Sequence, residues 1–111
     1  MVLAVGETNG GVVMRVHRVR REVVVAACDA DLLGRELPLG SGTQTVKVSP
    51  QFYGERKVLR EELVWAIQHG TIINLLGALV CQIAQEEGLL AADHTGMLGG
   101  VPHAEIVSFN P

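Results

Sequence analysis

Residues 12–28 constrain the fold more than any other part of the chain. Val12, Met14 and Val16 alternate with Val13, Arg15 and His17, the period-two pattern of a strand with one apolar and one partly polar face. Beyond Arg18-Val-Arg-Arg21, the run Glu22-Val-Val-Val-Ala-Ala-Cys28 is β-branched and almost wholly apolar, as in a more deeply buried strand. The spacing predicts a hairpin whose turn carries Arg20 and Arg21. A two-stranded hairpin is marginal in water by itself, so further strands or a helix must cover it.

The remaining sequence supplies that cover. Asp29 is placed to cap a single helical turn that Gly34 ends in the left-handed conformation. Leu37-Pro-Leu-Gly-Ser-Gly-Thr43 reads as a loop, residues 44–48 alternate like a third strand, and Phe52 and Tyr53 pin a short turn to the core. A helical half begins near Val58, where Leu59, Leu63 and Ile67 recur every four residues with Val64 beside them. Gly70 predicts its stop and Thr71 the cap of a second helix over residues 72–87. That helix is apolar nearly all round, and therefore central, with Asn74, Gly77 and Cys81 forming one small, weakly polar stripe. A last strand over 103–109 follows Gly99-Gly-Val-Pro102. The fold class predicted is α+β: a small, mostly antiparallel sheet packed against two helices, in a single domain. Residues 1–11, ending in Gly6-Glu-Thr-Asn-Gly-Gly11, are read as a flexible N-terminal extension or an edge strand, and residues 12–111 as the domain.

A chain of 111 residues, 48% apolar and 19% charged, can bury a core without a metal or disulfide and does not have the composition of a disordered protein. The longest apolar stretch, residues 71–84, contains Asn74, Gly77 and Gln82 and is shorter than the roughly 18 residues that a membrane-spanning helix requires. No basic region precedes the apolar start, so it does not read as a signal peptide. Cys28 and Cys81 form no CxxC pair. Two buried free thiols in a reducing compartment explain them more simply than a disulfide, and the expected location is the cytoplasm. A net charge of −3 offers nucleic acid or anionic lipid no global attraction, so any such contact must come from a local patch.

Several short motifs occur in one order: Ala27-Cys-Asp29 followed by Leu32-Leu-Gly34, then Phe52-Tyr-Gly54, Thr71-Ile-Ile-Asn-Leu75 with Gly77, and Gly99-Gly-Val-Pro-His-Ala104. Together they resemble an archaeal family of small proteins known as domain of unknown function 424, over about residues 12–109. The resemblance implies an archaeal, cytoplasmic, compact α+β protein. It carries over no catalytic residue.

Four groups of residues are candidates for function. In Gly99-Gly-Val-Pro-His103, Gly99 and Gly100 permit close approach of a ligand, and His103 at a strand start would act as a general base or bind a phosphate or metal; the same letters also make a tight turn. Cys28 and Asp29 at a strand end would form a nucleophile and orienter with His103 as base, or else a small core residue and a helix cap. Asn74 in an apolar segment must be satisfied, either by a loop such as 29–34 or 99–102 or by a ligand. The run Arg15, His17, Arg18, Arg20 and Arg21 would grip phosphates, although no aromatic residue interleaves it and a solvated hairpin fits it equally. Asp93, His94 and His103 match no zinc spacing, and no metal or cofactor is implied.

Three functional readings follow. The first is a binding module for RNA, a ribonucleoprotein or the translation machinery, using Arg15, Arg18, Arg20 and Arg21. The second is a small enzyme in which Asp29 and His103 converge near the glycine turn. The third is a structural subunit whose surplus apolar surface joins a homo-oligomer or another partner, with no membrane involved.

Overall fold

The computed structural model describes residues 10–108; the expectation of an extension or edge strand over residues 1–11 falls almost wholly outside them. Strands β1 (Val12–Val19) and β2 (Glu22–Asp29) form the expected hairpin, in register from Val12 opposite Asp29 to Val19 opposite Glu22. Arg20 takes the turn with φ +58°, a region that costs a side-chain-bearing residue about 1 kcal/mol or more. The short strands β3 (Glu36–Pro38) and β4 (Thr45–Lys47) pair only with each other. One-turn helix α1 (Pro50–Tyr53) is capped by Ser49, whose Oγ accepts from the Phe52 N–H, and strand β5 (Lys57–Val58) returns to the edge of β1. Helix α2 (Arg60–His69), strand β6 (Ile72–Leu76), helix α3 (Ala78–Glu86), and the hairpin of β7 (Gly96–Leu98) and β8 (Val101–Val107) complete the chain.

Six strands make one sheet in the order β5-β1-β2-β6-β8-β7. Every neighbouring pair is antiparallel except β2 and β6, which run parallel. Side chains alternate between faces, and each face builds its own core. On one face α2 and α3 bring Leu63, Ala66, Ile67, Val80, Cys81 and Ala84 against Val12, Met14, Val25, Ala27, Ile73 and Leu75. On the other face Leu32, Leu37, Val48 and Tyr53 cover Val13, Ala26, Cys28 and Leu76. Both cysteines are buried and free, one in each core.

The single long helix expected over 72–87 is instead a strand, a glycine and a shorter helix. Ile72–Leu76 is the central strand, and Ile73, Leu75 and Leu76 are essentially inaccessible. A short apolar run buried on two sheet faces has no polar face, so periodicity does not separate it from a buried helix. The punctuation is Gly77, whose φ of +130° is closed to other residues. Thr71, expected to cap that helix, fastens strands instead. Its hydroxyl oxygen accepts from the Val23 N–H at 2.8 Å and its O–H donates to Glu22 at 2.7 Å. Leu59, expected on the apolar face of α2, is 65% exposed and precedes the helix, while its N–H donates to Glu62.

Candidate functional site

Asp29 ends β2 and points toward the helical face of the sheet, two residues beyond the buried Ala27. It caps no turn of its own. Its carboxylate accepts from the backbone N–H groups of Leu79 (3.0 Å) and Val80 (2.9 Å), in the first turn of α3. That satisfies two orphan donors and places a negative charge at the positive end of the helix. Gly77 makes the arrangement possible, because a Cβ there would fall on the Asp29 carboxyl group. Burial pushes the Asp29 carboxyl above its ordinary range, while the two N–H bonds pull against it.

His103 lies on the other face. Cys28, Leu76 and His103 stand side by side on β2, β6 and β8, and Cys28 and Leu76 belong to the core opposite α2 and α3. Asp29 and His103 therefore project from opposite sides of the sheet, and the expected convergence of Asp29 with His103 does not occur. Burial, reinforced by Asp29 and Asp31, pushes the Cys28 thiol up to about 12, so it is not a thiolate at neutral pH. Gly99 and Gly100 form the β7–β8 turn with φ of +57° and +79°. A Cβ on Gly99 would press on Leu37 and Pro38, which accounts for that glycine by the packing of the turn against β3.

Asn74 sits on β6 on the face away from α2 and α3, between Ala26 and Glu105. Its Oδ1 accepts the Tyr53 O–H at 2.6 Å, so its partner is neither loop 29–34 nor loop 99–102. Burial raises the Tyr53 phenol well above its ordinary range and keeps it a donor. The bond ties α1 to the central strand.

The arginine run divides between the faces. Arg15 donates to the Gln51 carbonyl, and His17 stacks on Phe52 with its Nε2 at 2.7 Å from the Phe52 carbonyl; both belong to the face that carries α1. Arg18, one step out of phase, lies on the helical face, and Arg20 and Arg21 occupy the exposed tip. Among the described residues the salt bridges engage only Arg56 and Arg60, so no carboxylate is paired with Arg18, Arg20 or Arg21.

Arg18 borders a recess of about 490 Å³ lined by Val16, Val23, Val25, Trp65, Ala66 and His69. Trp65 is the sole tryptophan of the chain and is 62% exposed. Its ring lies parallel to that of His69, with centroids 4.0 Å apart, and His69 Nδ1 donates to the Trp65 carbonyl at 2.8 Å. The aromatic partner that the arginine run lacks in sequence is thus supplied by α2. Its one sequence signal was a tryptophan standing off the apolar stripe of a helix, four residues before a histidine. A second recess, about 450 Å³, lies between β5, α2 and α3 and is mostly aliphatic; Arg60 at its rim is already held by Glu86 and Glu87.

No curated protein matches the chain significantly. A crystal structure of an uncharacterized conserved protein from Methanopyrus kandleri is similar to it, with a TM-score of 0.75 and 33% identity, over 90% of this chain and 95% of that one. The family model described as a protein of unknown function, DUF424, matches residues 17–109. With that share of its length matched, the chain belongs to the DUF424 family.

Proposed function

We propose that this protein is an RNA-binding module whose contact surface is the tip of the β1–β2 hairpin together with the recess beside α2, and that it works in the cytoplasm, where its buried thiols stay reduced. The observation that carries the reading is the exposed Trp65, held against His69 at the mouth of a recess that Arg18 borders. Exposed aromatic faces beside unpaired cations are how proteins bind nucleic acid strands of any sequence. The arginines supply charge, and no carboxylate lines the recess. A net charge of −3 leaves this local patch as the source of attraction.

The test is the salt dependence of binding to a labelled RNA, followed by fluorescence anisotropy. Three phosphate contacts to a single strand give a slope of log K against log salt of about −2. The triple variant Arg18→Glu, Arg20→Glu, Arg21→Glu is expected to abolish measurable binding near 50 mM salt. Binding that survives the triple change, or none by the unaltered protein at that salt, removes the reading.

A further inference from the structure

We infer that the aliphatic recess between β5, α2 and α3 is the docking site of the chain's own N-terminal segment, residues 1–5, tethered through residues 6–9. The inference goes beyond the RNA reading and does not rest on it, because this recess is not the one that Arg18 borders. Its volume is about 450 Å³, and Val12, Val58, Leu63 and Ile83 line it together with the exposed Leu59 and Leu79. It adjoins β5, a strand of two residues at the edge of the six-stranded sheet. Apolar side chains left in water beside a sheet edge favour an apolar cover.

Three observations choose the occupant. The first is place. Gly10 and Gly11 themselves line the recess, with φ of +117° and +69°, turns that glycine makes without strain. The Gly11 carbonyl accepts from the Ala30 N–H at 2.8 Å, so residues 1–9, which lie outside the described residues, are joined to the fold at the wall of the recess. The second is composition: Met1, Val2, Leu3, Ala4 and Val5 are all apolar, as the lining is. The third is charge. Glu7 is the one charged side chain in residues 1–9, and Lys57 of the lining enters no salt bridge among the described residues, whereas Arg60 is held by Glu86 and Glu87. From Gly10 an extended chain carries Val5 at most about 17 Å, enough to cross a cavity of this size. A tether this short also holds the segment at an effective concentration in the millimolar range, which a second copy in dilute solution does not match.

The test is methyl–methyl nuclear Overhauser contacts in the full chain with isotope-labelled methyl groups. A mixture of labelled and unlabelled copies, filtered for contacts between chains, is recorded beside it. The expected result is contacts from the Leu3 and Val5 methyls to those of Val58, Leu79 and Ile83 in the labelled chain, and none in the filtered mixture. Leu3→Glu should abolish the Val5 contacts, while Val13 and Leu76 in the opposite core keep their methyl shifts and so report an intact fold. Absence of these contacts in the natural chain overturns the inference. Contacts that appear between copies overturn it in favour of a second copy as the occupant. Val5 contacts that survive Leu3→Glu overturn it too, since burial of the apolar segment would then not be what holds it in place.

Discussion

Replacing Gly77 by alanine tests the junction between β6 and α3 most sharply, because two separable costs meet there. The first is conformational: φ of +130° charges an L-residue about 2 kcal/mol. The second is steric: the new Cβ would occupy the place of the Asp29 carboxyl group, so that carboxylate must leave and its bonds to Leu79 and Val80 break. Losing a charged cap over two N–H groups costs about 2 kcal/mol. Gly77→Ala is therefore expected to destabilise by about 4 kcal/mol and Asp29→Ala by about 2 kcal/mol. The double variant should not reach the additive total of about 6 kcal/mol, because once the carboxylate is gone the methyl group has nothing to displace. It should stay near 4 kcal/mol, a coupling of about −2 kcal/mol in a double-mutant cycle. Urea unfolding measures all four proteins, with stability read from midpoints at a common slope. An additive cycle would refute the reasoning, since Gly77 would then be needed for its backbone alone.

Three shorter predictions follow from the same geometry. Because burial raises the Asp29 carboxyl pKa, the folded state binds its proton more tightly than the unfolded chain does, and stability is lost as pH rises above the ordinary value of about 3.9; the advantage of the natural protein over Asp29→Asn should shrink from pH 4 upward, and an advantage that grows would show that the Leu79 and Val80 bonds outweigh burial. Tyr53→Phe removes the hydroxyl that Asn74 accepts from and should cost about 1–2 kcal/mol, a cost that largely vanishes in an Asn74→Ala background; equal costs in both backgrounds would mean the phenol acts by packing. Arg20→Gly relieves the left-handed turn residue and should raise stability by up to about 1 kcal/mol while weakening RNA binding and making the salt slope shallower by about 0.7; a stability loss would mean that the arginine side chain supports the hairpin.

The strands that carry one apolar face or a β-branched run were legible. Val12–Val19, Glu22–Asp29 and the turn between them lie where alternation puts them, and residues 57–70 hold the helix that Leu63 and Ile67 announce. Residues 72–87 were not legible as they stand. Ile72 to Leu76 is buried on both sheet faces, so the sequence carries no face preference there, and an apolar strand running into an apolar helix looks like one longer helix. The signal that separates them is Gly77, and its role depends on a carboxylate 48 positions away in sequence. The β7–β8 hairpin was half legible: Gly99-Gly100 announced a turn, while Gly96–Leu98, three residues long, is too short to show a period.

The site was harder to read because its parts are chosen by parity. A run of arginines reads as one patch in sequence, but on a strand successive side chains belong to opposite faces. Arg15 is thereby given to α1 and Arg18 to Trp65. The same rule separates Asp29 from His103, since Asp29 follows Cys28 by one residue and Cys28 is the residue in line with His103 across β6. Both outcomes depend on strand neighbours and register, which follow from the parallel pairing of β2 with β6, a contact between segments almost 50 residues apart. Shifting that pairing by one residue would turn Asn74 into the helical core and Leu75 out of it, which burial forbids. The inaccessible Ile73 and Leu75 thus fix the sheet's faces, and in doing so they determine which residues share a surface with Trp65.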